Sequence, residues 1–516
     1  MDKAPLEDLK SRSQKFHGTP PRGLDNVPRS VSQAGKFGRI FRNLEPLASD
    51  SGALVKLAGT MIEKPEDVED PKAASNNARM SAGFTYLGQF IDHDLTFDPV
   101  SKLQSDNDPD ALEDFRTPRF DLDSVYGRGR DDSPFLYDGD KFVIGRNDAK
   151  EEDLPRSPNG RAIIGDPRND ENLIVSQLQL AFLRYHNAVV DALPAVPTRF
   201  DDARELVRFH YQWILVHDFL PKVVGDELVQ HILKPNPYPV RTREGIKEAF
   251  AWKTDLRFYN FKELPFMPVE FSVAAYRFGH SMVRFNYALN PQTDGEGKEL
   301  PIFAAQGDDL RGFRPRPAKR KIEWLRVFKF EGADPEKLQP ARAIDTLLST
   351  GLGVLPDIVA SNPNSLAARN LLRGKALGLP SGQDVARAMG IPEDFVVGNA
   401  KNKLQIVPAY KLPDGKPDPS VPAIDGALKI ELETAFGTAT PLWYYILKEA
   451  EVFAAGQHLG PVGGRIVAEV FLGILKADPT SYLNVAPRWE PNKGQFGCTQ
   501  NGHYSIQNLL QFAGVA

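Results

Sequence analysis

The sequence predicts a mainly α protein: one large helical domain with few short strands and an extended N-terminal arm. Apolar residues recur at three-and-four spacing in several long segments, which is typical of helices that bury one face. Strand signals are few and short, and we find no internal repeat and no composition break typical of a domain linker. Residues 1–50 are rich in Pro, Gly, Ser and charge. We therefore predict an arm over residues 1–50 and a single domain over residues 51–516.

Composition narrows the class of protein before any motif is considered. Hydrophobic residues make up 41% and charged residues 25% of the 516-residue chain, as in soluble globular proteins. The net charge of −5 argues against a nucleic acid or a membrane surface as the partner, and no apolar run approaches the roughly 20 residues of a membrane span. The start lacks a signal-peptide core, and the single cysteine, Cys498, allows no intrachain disulfide. We expect a cytoplasmic protein, or one exported without a conventional signal peptide.

The first helix of interest is predicted over residues 76–95, a run without proline. Its apolar stripe consists of Phe84, Leu87, Ile91 and Leu95. Beside this stripe Gln89, Asp92 and His93 are three and four residues apart, so their side chains occupy neighbouring positions on the helix surface. Buried polar groups need partners. The cluster suits a functional site, but a core histidine with satisfied hydrogen bonds would show the same pattern.

An acidic, turn-rich segment over residues 105–160 contains a candidate cation loop. Oxygen-bearing groups occur at every second position if the carbonyl of Arg119 is counted with the side chains of Thr117, Asp121 and Asp123. Calcium takes about six to eight oxygen ligands, often from loops of this kind. A solvated acidic loop is the alternative, and the loop alone leaves both interpretations open.

A long helix is predicted to open at Gly165-Asp166-Pro167-Arg168-Asn169-Asp170-Glu171 and to end near Leu193. Asn169 can cap its N-terminus, and the carboxylates of Asp170 and Glu171 suit the positive first turn. Capping alone would explain both acids, so the helix does not by itself give Glu171 a function. The predicted buried face consists of Ile174, Leu178, Phe182 and Tyr185.

A second candidate histidine ends a helix that is predicted to begin at Pro268 and to continue to Val283. The relevant residues are Arg277-Phe278-Gly279-His280. A glycine inside a helix costs roughly 1 kcal/mol relative to alanine, so Gly279 indicates a place where a large group approaches the backbone. A buried histidine beside a packing glycine is the alternative.

The remaining helices are predicted from the same periodicity. Residues 202–220 carry His210 and His217, which we interpret as structural or surface histidines because no other metal ligands occur at suitable spacing. Two further helices are predicted over residues 341–352 and 364–372, and the second contains Asn370. An amphipathic pair is predicted over residues 441–455 and 461–476, each opened by a proline.

Taken together, these motifs resemble those of the animal-type haem peroxidases. This peroxidase–cyclooxygenase superfamily includes the mammalian myelo- and lactoperoxidases and many bacterial members. The resemblance extends from about residue 75 to about residue 485 and implies the mainly α fold of that family. It rests on separated motifs that occur in the same order: Gly88-Gln89-x-x-Asp92-His93-Asp94, Thr117-x-x-x-Asp121-x-Asp123, Arg168-x-x-Glu171, Arg277-Phe278-Gly279-His280, and Asn370 with its Gly-Leu-Pro follow-on. Each motif alone is only modestly specific.

The resemblance implies a haem enzyme that reduces hydrogen peroxide. His93 matches the base that takes a proton from peroxide and returns it to the leaving oxygen, and Arg168 matches the group that stabilises developing charge. Gln89 matches a residue that orients water or a bound halide. His280 is implied as the axial iron ligand, and Asn370 as the acceptor of a hydrogen bond from its other ring nitrogen.

Further haem contacts are implied by the same resemblance. Arg277 is expected near a haem propionate. Asp92 and Glu171 match two carboxylates that form ester links to haem methyl groups in the mammalian members, so ester-linked haem b is an expectation here. One position departs from the family pattern. Asn172 follows Glu171, where myeloperoxidase has a methionine bonded to a haem vinyl group, and this third link is not predicted.

The resemblance also implies a calcium ion. Its ligands would be Asp94, Thr117, the carbonyl of Arg119, Asp121 and Asp123. Because Asp94 adjoins His93, the ion would help to hold that histidine in position.

The predicted reaction is peroxide-dependent one-electron oxidation of small donors such as phenols, with halides and thiocyanate as further candidate substrates. One alternative is a fatty-acid dioxygenase of the same superfamily, which has a tyrosine three residues before the proximal histidine. Here that position is Arg277, and Tyr276 is one residue too early and about 100° round an α-helix. The other alternative is a non-catalytic haem- or calcium-binding scaffold, which would need neither His93 nor Arg168.

Overall fold

The computed structural model describes most of the chain and forms a mainly helical structure. It describes residues 35–64, 75–96, 113–114, 116, 118–242, 245–261, 264–295, 297–304, 308–360, 362–399, 401–411, 416, 418 and 421–516. The structure is 43% helical, which confirms the predicted class. The α-helices are α1 (Ser51–Gly59), α2 (Gly83–Leu95), α3 (Asp123–Tyr126), α4 (Leu173–Ala192), α5 (Arg199–Ile214), α6 (Leu220–Val224), α7 (Asp226–Ile232), α8 (Leu366–Ala376), α9 (Gly382–Ala388), α10 (Gly426–Phe436), α11 (Leu442–Ala454), α12 (Pro461–Ala477), α13 (Tyr482–Val485) and α14 (Ile506–Phe512).

Most strands are short, and they pair in twos and threes. They are β1 (Gly35–Gly38), β2 (Asn76–Ser81), β3 (Glu113–Asp114), β4 (Tyr137–Asp138), β5 (Lys141–Phe142), β6 (Gly145–Arg146), β7 (Glu152–Asp153), β8 (Leu233–Thr242), β9 (Gly245–Thr254), β10 (Met267–Pro268), β11 (Asn286–Tyr287), β12 (Leu300–Pro301) and β13 (Pro340–Arg342). Within the described residues, one sheet has three strands, in the order β10-β1-β3. The exception in length is the hairpin of β8 and β9, with ten residues in each strand. This hairpin was not anticipated from the sequence.

The predicted helix over residues 76–95 is correct only in its second half. Residues Asn76–Ser81 form β2, which pairs antiparallel with β13, and α2 begins at Gly83. The helix predicted over residues 341–352 is wrong for the same reason, because its first residues belong to β13 and only the 3₁₀ turn Thr350–Leu352 is helical. In both cases a pairing between distant segments overrides the local preference. The apolar stripe of α2 is buried as predicted.

The helix predicted to open near Gly165 begins later than expected. A 3₁₀ turn, Pro167–Asp170, comes first, and α4 begins at Leu173. Its cap is Asn172 rather than Asn169, because the Asn172 side chain accepts hydrogen bonds from the backbone of Ile174 and Val175, at 3.1 and 2.9 Å. The predicted buried face of α4 is confirmed. A stacked pair, Phe90 and Phe182, packs α2 against α4.

The segment that carries His280 is helical, but it is not an α-helix. It consists of a π-helix over Glu270–Ala274 and a 3₁₀-helix over Ala275–His280. The buried carboxylate of Glu270 accepts hydrogen bonds from the backbone N–H groups of Ile40 and Phe41, both at 3.0 Å, and this fixes the segment to the chain after β1. Departures from α-helical geometry of this kind are frequent at functional sites.

The predicted amphipathic pair is confirmed as α11 and α12, and α8 confirms the helix over residues 364–372. The helix predicted over residues 202–220 is α5 continued by a π-helical turn, Leu215–Phe219. Its His210 is buried and bonds the carbonyl of Leu206 through Nδ1 at 2.7 Å, as expected of a structural residue. Among the described residues, no helix combines the length and the apolar character that crossing a membrane requires.

A candidate active site between two histidines

Both candidate histidines line one cavity of about 1100 Å³. We call the wall that carries His93 the distal side and the wall that carries His280 the proximal side. Helix α2 and the turn before α4 provide the distal residues, and the π/3₁₀ segment provides the proximal ones. The hydroxyl of Tyr276 donates to the carbonyl of Gly88 at 3.1 Å and so ties the two sides together. The volume exceeds the roughly 300–1,000 Å³ of ordinary small-molecule sites.

His93 is a buried, neutral imidazole with a defined tautomer. Its Nδ1 lies 2.7 Å from the side-chain oxygen of Asn169, and the amide nitrogen of Asn169 donates to Gln179 at 2.8 Å. With the side-chain oxygen of Asn169 facing it, Nδ1 of His93 carries the proton and Nε2 keeps its lone pair. Burial, followed by the charge of Arg168, lowers the pKa of His93 to about 3. Nε2 of His93 can therefore accept a proton at neutral pH.

Arg168 is fixed by a buried carboxylate that it shares with a second arginine. Its Nη2 donates to Asp166 at 2.8 Å and to the carbonyl of His93 at 2.9 Å. Arg116 forms a close ion pair with the same carboxylate oxygen of Asp166, Oδ2, and lies 3.0 Å from a carboxylate oxygen of Asp123. Burial alone would raise the pKa of Asp166, but Arg168 and Arg116 hold it below its usual range. The guanidinium of Arg168 is thus positioned before any ligand arrives.

The remaining predicted distal residues also line the cavity. Gln89 donates a close hydrogen bond to Glu171 and accepts one from Asn172 at 2.9 Å. A carboxylate oxygen of Glu171 lies 3.8 Å from Nε2 of His93. Asp92 accepts a hydrogen bond from the hydroxyl of Thr96 at 3.1 Å, and burial raises its pKa although Arg168 and Arg277 oppose this. All of these predicted residues are therefore in one place.

The proximal histidine has an asparagine partner, but with the opposite amide orientation to the one expected. Nδ1 of His280 lies 2.7 Å from the amide nitrogen of Asn370, while Arg277 donates to the amide oxygen at 2.5 Å. Ligation of iron through Nε2 requires the proton on Nδ1, so a haem-bound form needs the amide turned over. Burial, followed by the charge of Arg277, lowers the pKa of His280 to about 3, and the ring is neutral as a metal ligand must be.

Gly279 faces the cavity rather than a packed neighbour. A β-carbon at this position would have no atom within 4 Å, and the residue lines the cavity. The packing-glycine alternative is therefore wrong, and open space lies where the sequence predicted the approach of a large group.

The walls of the cavity suit a haem. The proximal part is apolar, with Leu352, Leu355 and Leu366 among its lining residues. Arg277, Arg369 and Arg373 line the same cavity and suit the two propionates. A neutral imidazole, an apolar wall and guanidinium groups are the donor set that a haem requires.

The cation loop has three carboxylates in one cluster. Ligand oxygens of Asp94, Asp121 and Asp123 all lie within 4.8 Å of one another. Burial and mutual repulsion raise the pKa of Asp94 well above its usual value and that of Asp123 to about 7. One buried carboxylate oxygen of Asp123 has no hydrogen-bond partner. The cluster therefore fits a divalent cation. Arg119 lies in the same loop, its carbonyl stays a predicted ligand, and Thr117 lies outside the described residues.

Sequence reasoning missed the residues that position the two sides. Asn169 was interpreted as a helix cap, and Asp166 and Arg116 were given no role. Each lies within two residues of a predicted motif residue, and that proximity is the available signal. On the proximal side, Arg373 lies about one helical turn after Asn370 in α8. This spacing predicts that the two side chains lie on the same face of the helix.

Comparison with known proteins gives the family. The family model described as animal haem peroxidase matches residues 114–395, more than half of the chain. The chain belongs to the animal haem peroxidase family. This match includes Arg168, Glu171, His280 and Asn370. His93 precedes it.

Relatives of this animal haem peroxidase chain include peroxidases of animals. It is 28% identical to a chorion peroxidase of Drosophila melanogaster over 48% of this chain and 29% of the relative. It is 27% identical to the thyroid peroxidase of Homo sapiens over 52% of this chain and 27% of the relative. The match therefore spans less than a third of each of these relatives.

Solved structures show the same fold. Peroxidase A of Dictyostelium discoideum has a TM-score of 0.58 at 15% identity, with 97% of each chain covered. A fatty acid alpha-dioxygenase of Oryza sativa has a TM-score of 0.55 at 16% identity, with 99% of this chain and 88% of that chain covered. The fold is thus shared by a peroxidase and a dioxygenase.

Proposed function

We propose that the chain binds haem b through His280 and reduces hydrogen peroxide while it oxidises small donors. The observation that supports this most is the unprotonated Nε2 of a neutral His93 in the cavity that His280 also lines. A scaffold protein has no need for a buried, neutral histidine whose ring lines such a cavity. Phenols are the first candidate donors, with halides and thiocyanate as further ones.

Each distal residue has a defined task in this reaction. The haem, when bound, supplies the redox chemistry. Nε2 of His93 accepts the proton of hydrogen peroxide and returns it to the leaving oxygen, and such a transfer contributes typically 10²–10⁴-fold. The guanidinium of Arg168 stabilises the negative charge that develops between these steps. Gln89, fixed between Glu171 and Asn172, presents a polar group to water or a small anion.

Asp92 and Glu171 are proposed to form ester links to the haem. Both carboxylates line the cavity, and Glu171 is hydrogen-bonded to Gln89 in the distal wall. After treatment with peroxide, haem should resist extraction by acidified organic solvent. In the double variant Asp92→Asn/Glu171→Gln it should be extractable. Complete extraction from the parent protein would contradict the proposal.

Calcium is proposed at the cluster of Asp94, Asp121 and Asp123. A divalent cation would remove most of the cost of burying three carboxylates together. Treatment with EGTA should release one calcium per chain and lower the melting temperature, and Asp121→Asn should do the same. A protein that contains no calcium and is not stabilised by added calcium would contradict the proposal.

The test of the main proposal is an absorption spectrum of haem-loaded protein before and after stoichiometric peroxide. The haem bands should shift with peroxide and return when a phenol is added. In His93→Ala the bands should be present but respond roughly 10²–10⁴ times more slowly. Bands that do not respond in the parent would contradict peroxidase activity, and a protein without haem bands would contradict the role of His280.

A fatty-acid dioxygenase is the second candidate because Tyr276 lines the cavity. Its hydroxyl is engaged with the carbonyl of Gly88, and Arg277 stands three residues before His280. Within a 3₁₀-helix, residues three apart face the same side, so Arg277 rather than Tyr276 shares the face of His280. Oxygen uptake with a polyunsaturated fatty acid and no peroxide would favour the dioxygenase.

A further inference from the structure

Two loops at the mouth of the cavity are fixed to one residue of the distal wall, Asp170. The side chain of Asp170 forms a two-point ion pair with Arg156, at 2.6 and 2.7 Å, which holds the loop of residues 155–163. The backbone carbonyl of Asp170 accepts a hydrogen bond from Phe313 at 2.7 Å, which holds the loop of residues 309–314. Asp170 is buried and directly precedes Glu171. Both loops are therefore part of the distal entrance.

These loops bring an excess of positive charge to the entrance. Arg161, Arg311 and Arg314 all line the cavity. Arg311 and Arg314 share one buried carboxylate, Asp309, at 2.6 and 3.2 Å. Arg161 is exposed, and within the described ranges it forms no ion pair. Asp309 is already engaged by Arg311, so Arg161 adds a positive charge that no described carboxylate contacts, although the chain as a whole carries a net charge of −5. The entrance therefore attracts anions.

An aromatic ring lies beside these charges. Phe313 lines the cavity, yet the residue is 38% exposed. Its backbone has a φ of 54°, in the left-handed region, which costs roughly 1–2 kcal/mol for a residue with a side chain. The preceding residue, Gly312, has no side chain, so the loop lies close to the distal wall. There the backbone N–H of Gly312 donates to the carbonyl of Glu171 at 2.9 Å. Because Phe313 is exposed, burial of its ring contributes little free energy to offset the cost of this backbone conformation. Strained backbone conformations occur frequently at ligand sites.

We propose that this entrance binds aromatic carboxylates as the electron donors of the proposed peroxidase, on which the inference rests. The donor carboxylate would lie on the guanidinium groups of Arg161 and Arg311, and its ring would lie against Phe313. Guanidinium groups bind carboxylates through paired, charge-assisted hydrogen bonds, and aromatic rings pack on one another in stacked or edge-on geometry. The preferred substrates are phenolic acids such as hydroxycinnamates.

The overall reaction balances with peroxide as the oxidant. Each of two phenolic acids loses one electron and one proton from its hydroxyl group and becomes a phenoxyl radical. One hydrogen peroxide receives both electrons and both protons, its O–O bond breaks, and two waters form. The carboxylate of the donor is unchanged and serves only for binding.

The first experiment measures binding without turnover, so that it does not depend on peroxidase activity. Cinnamate and its neutral methyl ester, neither of which is a phenol, are titrated into the haem-loaded protein and followed by the haem spectrum and by calorimetry. Cinnamate should bind about 10-fold more tightly than the ester. In Arg161→Gln this preference should fall to about 3-fold or less, whereas the exposed control Arg488→Gln should leave it unchanged. Equal affinities in the parent protein would overturn the proposal.

The second experiment measures turnover with 4-hydroxycinnamate and its methyl ester. Arg161→Gln should raise KM for the acid by about 10-fold, with kcat and the reaction with peroxide unchanged. Phe313→Ala should raise KM for both compounds. If thiocyanate competes as well as cinnamate and Phe313→Ala has no effect, the entrance binds simple anions and the aromatic assignment is wrong. A protein that binds cinnamate but does not react with peroxide contradicts the proposed function and not the binding site.

Discussion

The distal and proximal histidines are held by the same type of side chain in opposite orientations. Nδ1 of His93 faces the amide oxygen of Asn169, whereas Nδ1 of His280 faces the amide nitrogen of Asn370. Gln179 accepts a hydrogen bond from the first amide, and Arg277 donates one to the second. The distal imidazole thus already has its basic nitrogen in the cavity, whereas the proximal imidazole can bind iron only after its amide partner turns.

The two histidines also differ in the secondary structure and the neighbouring residues that hold them in position. His93 lies on a regular α-helix and beside an ion-pair network of Arg168, Asp166 and Arg116, in which Asp166 and Arg116 are buried. His280 ends a 3₁₀-helix that follows a π-helix. A group that acts on a transition state needs a fixed position beforehand, while a metal ligand is completed when its metal binds. We expect the distal side to be preorganised and the proximal side to adapt.

Removal of Asp166 should have the largest effect, because it leaves the buried Arg116 and the half-buried Arg168 without their shared carboxylate. Asp166→Ala should lower the free energy of unfolding of the haem-free protein by about 3–5 kcal/mol, measured by urea denaturation. The exposed control Asp138→Ala should change it by less than about 0.5 kcal/mol. A loss below about 1 kcal/mol for Asp166→Ala would mean that the distal side does not depend on this network.

Replacement of Asn370 tests the turned amide on the proximal side. Asn370→Ala should weaken haem binding by about 10–100-fold, as for other hydrogen-bonding partners of metal ligands. Asn370→Asp presents an oxygen to His280 in either orientation and should bind haem at least as tightly as the parent. Titration of haem into the haem-free proteins measures both. Equally weak binding by the two variants would contradict a role for the amide oxygen.

Replacement of Asn169 tests the distal amide, with a smaller expected effect. Asn169→Ala should slow the reaction with peroxide by about 10-fold, because the tautomer of His93 is no longer fixed. Haem affinity should stay within about twofold. Stopped-flow absorbance gives the rate, and an unchanged rate would show that Asn169 does not position the base.

The two histidines should behave alike in their response to acid. Their pKa of about 3 in the folded protein lies below the ordinary value of 6.5, so the unfolded state takes up more protons as pH falls below about 6.5. Their contribution to stability is therefore complete above pH 6.5 and declines toward pH 3. Between pH 7.5 and 4.5 the haem-free parent should lose unfolding free energy more steeply than His93→Phe or His280→Phe. Parallel curves would contradict the lowered pKa values.

The sequence predicts well what depends on local pattern. The buried stripe of α2, the buried face of α4 and the pair α11 and α12 follow from the spacing of apolar residues, and all are confirmed. In each of these helices the buried face is determined by the spacing of apolar residues within the helix itself.

The errors occur where distant segments decide the local structure. Residues Asn76–Ser81 form a strand because β13 lies beside them, some 260 residues later in the chain. By residue type, Asn169 and Asn172 are equally suitable as N-caps of α4. Asn172 is the cap, because the side chain of Asn169 contacts His93 instead. The amide orientation at Asn370 depends on Arg277, which no spacing reveals. The site could be located from sequence, but the groups that position it could not.

Gly312 gives the entrance an adjustable width. A β-carbon there would lie 1.8 Å from the carbonyl oxygen of Asp170. Any other residue must therefore lift the loop that carries Arg311 and Phe313 away from the distal wall. Directed evolution at this single position offers a way to admit bulkier molecules while both histidines stay in place.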